Sequence, residues 1–304
     1  MEGVAAAVEA PAAVGAGADV AVVAVAVGEV GAADADRKMI GVGYRRELSS
    51  WLATRPTDVD CLEITAEHFF HGGWRRVEEL RRTYKLFVHG LSLSLGTPGR
   101  IDSQRLERFA QVVTAAQPEW ISEHIAFTRI DGCELGHLTP VPPTREFARI
   151  IADHALELGE HCERPVILEN ITSHLRIDGE LSEVDFLNEI CTRARCGLLL
   201  DVTNLFINSR NHRFDPIAWL DALDVSTIRQ LHLVGYAQED GRYTDDHAHP
   251  VQPEILELAT AVLERAPSCA LILERDAAFP GDVAMAAEIA KFRNLLKPQN
   301  PRSS

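Results

Sequence analysis

The chain has 304 residues, of which 46% are hydrophobic and 25% are charged, and its formal net charge is −15. A chain of this size and composition is typical of a globular protein with one large hydrophobic core or two smaller ones. The acidic balance argues against nucleic acid and anionic membrane as partners, because Lys and Arg supply most of the affinity for phosphate groups.

The N-terminal segment 1–38 consists almost entirely of Ala, Val, Gly and acidic residues, so we expect a low-complexity, disordered extension. Its first charge is that of Glu2, whereas a signal peptide begins with basic residues. Glycine and acidic residues interrupt the apolar stretch before it reaches the roughly 20 residues of a membrane span. Translation from Met39 is an open alternative, because the first predicted strand begins there.

The six cysteines form no CxxC pair. Cys61 and Cys269 lie in apolar, strand-like runs, where we expect buried, reduced thiols. Cys191 and Cys196 lack the second pair that a structural zinc site requires. This pattern predicts a protein of the reducing cytoplasm.

From residue 39 onward, short apolar runs alternate with amphipathic segments. Strands are predicted at 39–43, 59–64, 85–89, 119–124, 165–169, 197–201, 228–233 and 270–274. Helices are predicted near 46–54, 73–83, 103–116, 143–160, 182–194, 216–222, 253–265 and 281–296. Eight successive β–α units predict a single α/β domain, a (β/α)8 TIM barrel at 39–296, followed by a tail at 297–304. Long loops are expected at 66–72, 125–142, 170–181, 202–215 and 234–252.

Polar side chains follow nearly every predicted strand, at the end of the barrel where active sites lie. They are Glu63, Glu67, His89, Glu123, His124, Glu169, Asn170, Asp201, Asn204, His232, Asp245, His247, His249, Glu274 and Asp276. Any one of these acids alone is expected to cap a turn or pair with Arg, and any one histidine to be a hydrogen-bonded core residue.

Together, however, so many acids at one rim would repel each other, and cations remove that cost. Imidazole, carboxylate and amide groups favour iron, manganese or zinc. The candidates are too many for one ion, so we expect two or three metals that share bridging carboxylates such as Glu169 or Glu274.

The series "DxxN", "H", "DxH" and "E" over the last strands resembles the superfamily of endonuclease IV and xylose isomerase. Asn204 departs from the Asp-x-x-His of its AP endonucleases, and the acidic composition is unlike that of a DNA-binding protein. A closer resemblance covers residues 39–280. The segments "LEITAEHFF", "VHGLSLSLG", "SEHIAF", "ILENITSHLRIDGELSEVDFLNEI", "GLLLDVTNLFINSRNHRFDP", "DDHAHPV" and "LERD" resemble the DUF692 family of multinuclear non-haem iron-dependent oxidases.

That resemblance implies two or three irons in a mixed ferrous and ferric state. It also implies dioxygen as cosubstrate, and a ribosomally made precursor peptide modified at Cys, Asn or Asp, often with a partner protein that presents the peptide. The metal ligands it implies are His89, His124, Glu169, Asp201, Asn204, His232, Asp245, His247 and Glu274. Additional ligands or supporting residues are Glu63, Glu67, His68, Glu123, Asn170, His249 and Asp276.

One position departs from the family pattern. Many relatives read "EVHAENY" where this chain has "EITAEHF", so Thr65 stands at a usual His position and His68 at a usual Asn position. The third iron therefore depends on whether His68 compensates. We also expect Arg275 to pair with Asp276. His137 lies in a predicted loop above the site and is expected to be a surface or packing residue, and it is the loop histidine to test for substrate contact.

Two other classes of function fit the residues. One is a hydrolase or isomerase of the same superfamily that uses zinc, manganese or magnesium. The other is a non-catalytic peptide- or metal-binding barrel. Colour separates the first from the oxidase, because a mixed-valent iron cluster absorbs visible light and zinc does not.

Overall fold

The computed structural model of the protein describes residues 38–266 and 270–297. The predictions for 1–37, for Cys269 and for the tail from residue 298 lie outside these ranges. No helix of the described part is long and apolar enough to cross a membrane.

Strands and helices mostly alternate along the described part of the chain, with two β-hairpins and one pair of consecutive helices as exceptions. The strands are β1 (Ile40–Gly43), β2 (Cys61–Thr65), β3 (Lys85–His89), β4 (Ile121–His124), β5 (Phe127–Ile130), β6 (Cys133–Thr139), β7 (Val166–Glu169), β8 (Gly197–Asp201), β9 (Ile228–Leu233), β10 (Gly235–Glu239), β11 (Arg242–His249) and β12 (Ala270–Leu273). The helices are α1 (Ser49–Ala53), α2 (Trp74–Arg81), α3 (Ser103–Ala116), α4 (Arg145–Cys162), α5 (Glu183–Ala194), α6 (Val202–His212), α7 (Pro216–Ala222), α8 (Pro253–Arg265) and α9 (Asp282–Leu295).

Eight of these strands form a closed parallel barrel in the order β1, β12, β9, β8, β7, β4, β3, β2. Most residues in the bodies of these strands are apolar, because helices cover their outer faces and side chains fill the interior. Leu198, Leu199 and Leu200 of β8, for example, are fully buried. The prediction of a (β/α)8 barrel is confirmed.

Helix ends follow ordinary capping chemistry. The Asp102 side chain accepts hydrogen bonds from the backbone N–H groups of Gln104 and Arg105 at the start of α3. The Ser182 hydroxyl accepts one from Asp185 N at the start of α5. The apolar stripe of α3 predicted by helical spacing, which includes Leu106 and Phe109, is buried against the barrel.

The expected loop at 202–215 is wrong. Strand β8 passes directly into α6, because Asp201 caps this helix with its side-chain Oδ1, which accepts from Asn204 N at 2.6 Å. Residues 202–209 are buried on every side of the helix. An all-round buried helix lacks the polar stripe on which helix prediction from periodicity depends.

Two other expected loops contain antiparallel hairpins. Strands β5 and β6 pair within 125–142, and β10 and β11 pair within 234–252. Each turn is an Asp-Gly pair with positive φ at both residues, at 131–132 and 240–241, the conformation of a type I′ turn. Both hairpins rise from the rim of the barrel.

An aromatic cluster packs the second hairpin, formed by β10 and β11, against α6. The Phe206 ring stacks on Tyr236 with centroids 5.1 Å apart and meets Tyr243 edge-on at 5.8 Å. The Arg210 guanidinium lies over the outer part of this cluster, 4.8 Å from the Phe206 centroid. The cluster therefore fixes the strand that carries Asp245 and His247.

Candidate metal centre

The register of the barrel places the predicted side chains next to each other at one rim. His124 is paired with Glu169, and Asp201 is paired with His232. His89 is paired with Ser122 on the neighbouring strand. The strand ends that were read separately in the sequence thus form one contiguous polar surface.

A first group comprises His89, His124 and Glu169, whose ligand atoms lie within 4.8 Å of one another. Glu169 Oε2 lies 3.3 Å from His89 Nε2 and 3.4 Å from His124 Nε2. The opposite ring nitrogens are already engaged. His89 Nδ1 is hydrogen-bonded to Ser122 Oγ at 2.8 Å, and His124 Nδ1 donates to the Gly90 carbonyl at 3.1 Å. Both Nε2 atoms therefore face the same point.

A second group comprises Glu169, Asp201, His232 and Glu274, all buried. His232 Nδ1 lies 3.2 Å from Glu169 Oε1 and 2.9 Å from Glu274 Oε2. Glu169 thus directs one oxygen to each of the two groups. This is the arrangement expected of a bridging carboxylate.

A third group comprises His247, Glu274 and Asp276. His247 Nδ1 lies 3.3 Å from Asp276 Oδ2 and 3.8 Å from Glu274 Oε2, so Glu274 belongs to the second and third groups. His247 Nε2 lies 2.8 Å from Asp245 Oδ2. His247 has φ of +51°, an uncommon backbone conformation outside glycine.

The expected pairing of Arg275 with Asp276 is wrong. Asp276 forms its ion pair with Arg45. Arg275 is buried behind the rim, donates to the carbonyls of Ala248 and Ala278, and faces Glu288 at 3.7 Å. Its position next to Asp276 in sequence did not reveal this, because successive residues at a strand end point in opposite directions.

Asn204 lies beside the groups but its carboxamide is engaged elsewhere. Its Oδ1 accepts from the Thr172 hydroxyl, and its Nδ2 donates to the Asn170 carbonyl at 3.1 Å. The Asn170 side chain donates to the Asp201 carbonyl and accepts from the Asp201 N–H. It thereby continues the hydrogen bonding between β7 and β8 beyond the last residue of β7. Metal ligation by Asn204 stays a prediction.

The remaining candidates lie around the groups and not within them. Glu123 accepts from His124 N at 2.8 Å and Leu93 N at 3.0 Å. Glu67 accepts from Leu91 N at 2.9 Å and Ser92 Oγ at 2.7 Å. His249 pairs with Asp246 on the outside of the hairpin.

Thr65 and His68, which differ from the family pattern, do not belong to any of the three ligand groups, and neither does His137. His68 is exposed, and Thr65 is buried beside His89. His137 is exposed on β6, in agreement with its interpretation as a surface residue, and directs Nδ1 to the Leu135 carbonyl.

The charges at the rim strongly shift proton affinities. Burial raises the pKa of Asp201, and the neighbouring charges of Asp245 and Glu169 raise it further, to well above its ordinary value. Burial also favours the protonated form of Glu274, but the charges of His232 and His247 lower its pKa well below the usual range. The rim therefore shifts the pKa values of its buried carboxylates in opposite directions.

Several buried atoms of these side chains make no hydrogen bond. They are His89 Nε2, Glu169 Oε2, Asp201 Oδ2 and Asp245 Oδ1. A buried polar atom without a partner is costly, and folded proteins avoid it. A cation bound to a lone pair of each of these atoms would remove this cost. These nitrogen and oxygen atoms therefore fit a metal site. The side chains are nitrogen and oxygen donors, as iron, manganese and zinc sites require.

Sequence reasoning missed Gln230 and Trp120, which support the second group from below. The indole N–H of Trp120 donates to Gln230 Oε1 at 2.9 Å, and the Gln230 amide donates to Glu63. The sequence did contain a signal for Gln230. It lies two residues before His232, and because side chains alternate along a strand, both point into the barrel.

Comparison with known proteins decides the family. The family model described as RiPP precursor modification enzyme MbnB/TglH/ChrH matches residues 39–297. The chain belongs to this family. RiPPs are ribosomally synthesised and post-translationally modified peptides, so this is a family of enzymes that modify precursor peptides. In this chain, the clustered histidines and acids can hold metal ions.

Two relatives match most of the chain. A UPF0276 protein of Acaryochloris marina is 31% identical over 266 residues, which cover 86% of this chain and 96% of that protein. A UPF0276 protein of an Anaeromyxobacter species is 35% identical over 242 residues, 78% of this chain and 85% of that protein.

Two structures illustrate the fold. D-psicose 3-epimerase from Clostridium cellulolyticum has a TM-score of 0.59 at 11% identity and covers 85% of this chain and 99% of its own. Endonuclease IV from Thermus thermophilus has a TM-score of 0.57 at 15% identity and covers 85% of this chain and 98% of its own. At these identities the likeness concerns the barrel alone.

Proposed function

We propose that this protein is a multinuclear non-haem iron-dependent oxidase that uses dioxygen to modify a Cys, Asn or Asp side chain of a precursor peptide. The observation that supports it most is the sharing of Glu169 and Glu274 among three adjacent ligand groups. One mononuclear site needs no shared carboxylates. A cluster of two or three ions does, and family membership makes a precursor peptide the substrate.

The histidines and acids of the ligand groups would hold the iron ions. When bound, iron would supply the binding of dioxygen and the one-electron chemistry that no side chain provides. The histidines of the first two groups present nitrogens already oriented by hydrogen bonds, so little reorganisation accompanies binding. A cation at the second group would also favour the ionised form of Asp201, reversing the pKa shift caused by burial.

Access to the centre lies on the side of the third group. Asp276 is 43% exposed, whereas His232 of the second group is fully buried. The two hairpins flank this rim, so we propose that the peptide is presented between them, with a partner protein holding the remainder of the peptide. The free cysteines 61, 133, 162, 191 and 196 support a reducing cytoplasm as the compartment.

The test is reconstitution with ferrous salt without oxygen, followed by addition of the peptide encoded next to this protein and then of oxygen. We expect visible absorption from bound iron and a change in peptide mass. His124→Ala should abolish both the iron at the first group and the mass change while leaving the circular dichroism spectrum unchanged.

The matched control is His161→Ala, an exposed α4 histidine that faces Glu107 far from the rim. It should load iron and modify peptide as the unaltered protein does. Peptide modification by a protein that holds zinc in place of iron would contradict the oxidase and favour the hydrolase or isomerase. Modification by a metal-free variant would contradict both.

A further inference from the structure

The histidines of the first two groups present different ring nitrogens to the centre. His89 and His124 have Nδ1 engaged with Ser122 and Gly90 and direct Nε2 inward. His232 does the reverse, because Nδ1 faces Glu169 and Glu274. The nitrogen that binds a metal is set by the hydrogen bond of the other nitrogen. The partner of His232 Nε2 therefore decides the geometry of the second group.

That partner is Glu63. Its Oε1 lies 2.8 Å from His232 Nε2, and both side chains are almost completely buried. A carboxylate oxygen this close accepts a hydrogen bond from a proton on Nε2, because two lone pairs facing each other would repel. Glu169 and Glu274 lie as close to Nδ1, but both belong to the second ligand group, so a metal ion there would replace the proton on Nδ1 and leave the one on Nε2. Gln230 Nε2 also lies 3.0 Å from His232 Nε2 but is itself a donor, so it offers no acceptor for that proton.

The orientation of Glu63 is fixed from below. Gln230 donates its amide N–H to Glu63 Oε2, and its own carbonyl accepts from the Trp120 indole N–H at 2.9 Å. The indole donor determines which way the Gln230 amide is turned. Trp120 is held by stacking on Phe87, with ring centroids 4.3 Å apart. A continuous chain of hydrogen bonds thus runs from the underside of the barrel to the second group.

We infer that Glu63 is a positioning residue that holds His232 as the Nε2–H tautomer, so that His232 binds metal through Nδ1. Gln230 and Trp120 act through Glu63. Of the two roles left open for Glu63 in the sequence, ligand and supporting residue, this geometry assigns the second. The inference rests on the proposed function only in requiring that the second group holds a metal.

The first test is the crystal structure of the protein loaded with ferrous iron without oxygen. We expect iron bound to His232 Nδ1, with Nε2 remaining in hydrogen-bond contact with Glu63. Iron bound to His232 Nε2, or to Glu63 itself, would overturn the inference.

The second test measures ferrous iron affinity by competition with a chelator. Glu63→Gln preserves the shape of the side chain but leaves one carbonyl oxygen for two donors, His232 and Gln230. We expect about 10- to 100-fold weaker binding at the second group, as is typical when a supporting partner of a metal-binding histidine is lost. Trp120→Phe keeps the ring on Phe87 and removes only the N–H, so it should weaken binding less.

The matched control is Asp60→Asn, which removes a carboxylate at the opposite end of β2, where Asp60 accepts from Ile40 N and pairs with Arg293. A purely structural role for Glu63 predicts that both variants lower the melting temperature and neither changes iron affinity, and that result would refute the inference. Failure of the proposed function looks different: iron bound through Nδ1 with Glu63-dependent affinity, but no change in peptide mass.

Discussion

The first two ligand groups and the third differ in how the fold holds them. The first two are built from the ends of adjacent barrel strands, and the side chains of His232 and Glu169 are at most 3% exposed. The third depends on His247 from a hairpin and on Asp276, which is 43% exposed. Barrel register alone positions the inner groups, whereas the outer group needs the hairpin to be seated on α6. We therefore expect tight inner metals and a weaker, exchangeable outer one.

The largest effect should follow from breaking the inner groups at their shared residue. Glu169→Gln keeps the side-chain volume but replaces a bridging carboxylate by a neutral amide. We expect iron affinity at both inner groups to fall by at least about 100-fold, more than the loss of a supporting partner costs. Iron per chain, measured by elemental analysis, should drop accordingly.

The control for this change is Glu160→Gln, an exposed position on α4. It removes the same charge without touching the rim and should leave the iron content unchanged. Full iron content in Glu169→Gln would show that the two inner groups are independent and that Glu169 bridges nothing.

A smaller, selective effect is expected at the outer group. Asp276→Asn should weaken binding of about one metal ion by roughly tenfold and leave the inner metals in place. Metal release followed with a chelator should then show a faster first phase and an unchanged slow phase. Asp246→Asn, beside the rim and bonded to His249, is the control. Uniform weakening of all phases by Asp276→Asn would contradict the distinction between inner and outer groups.

A separate effect, on folding stability and not on metal affinity, concerns the metal-free protein and its pH dependence. Burial lowers the pKa of His124, but Glu169 and Glu123 more than reverse this and raise it to about 9, from 6.5. Protonated His124 thus stabilises the metal-free fold fully below pH 6.5, and this contribution, on the order of 3 kcal/mol, is lost as the pH rises to about 9.

Thermal melts between pH 6.5 and 9 test this. The melting temperature of the metal-free protein should fall across that window. The loaded protein should not show this loss if His124 is a metal ligand as proposed, because a histidine binds metal in its neutral form. The same fall in both forms, or its persistence in His124→Gln, would contradict the assignment of the effect to His124.

The barrel was predictable because its determinants are local. Runs such as "PVILE" and "GLLLD" are long enough to identify buried strands, and an ordered series of acids and histidines marks one rim. The composition of the groups was less accessible. Whether Asn204 or Asp276 faces the centre depends on contacts with Thr172, Asn170 and Arg45, none of which sequence spacing encodes.

The hairpins could have been found. Each contains an Asp-Gly pair flanked by β-type residues, the strongest local signal for a two-residue turn. Helix α6 was harder, since its all-round burial removes the polar stripe that separates a helix from a buried strand.

The direct passage from β8 into α6 has a practical consequence. With no spare residues between Asp201 and Val202, this sector of the rim has no length to absorb an inserted residue. The Asp-Gly tips at 131–132 and 240–241 are exposed and the space around both glycines is open, although their positive φ disfavours a side chain at the glycines themselves. Fluorescent labels or epitope tags grafted at these two tips would report on peptide arrival from either side while the ligand-bearing wall stays intact.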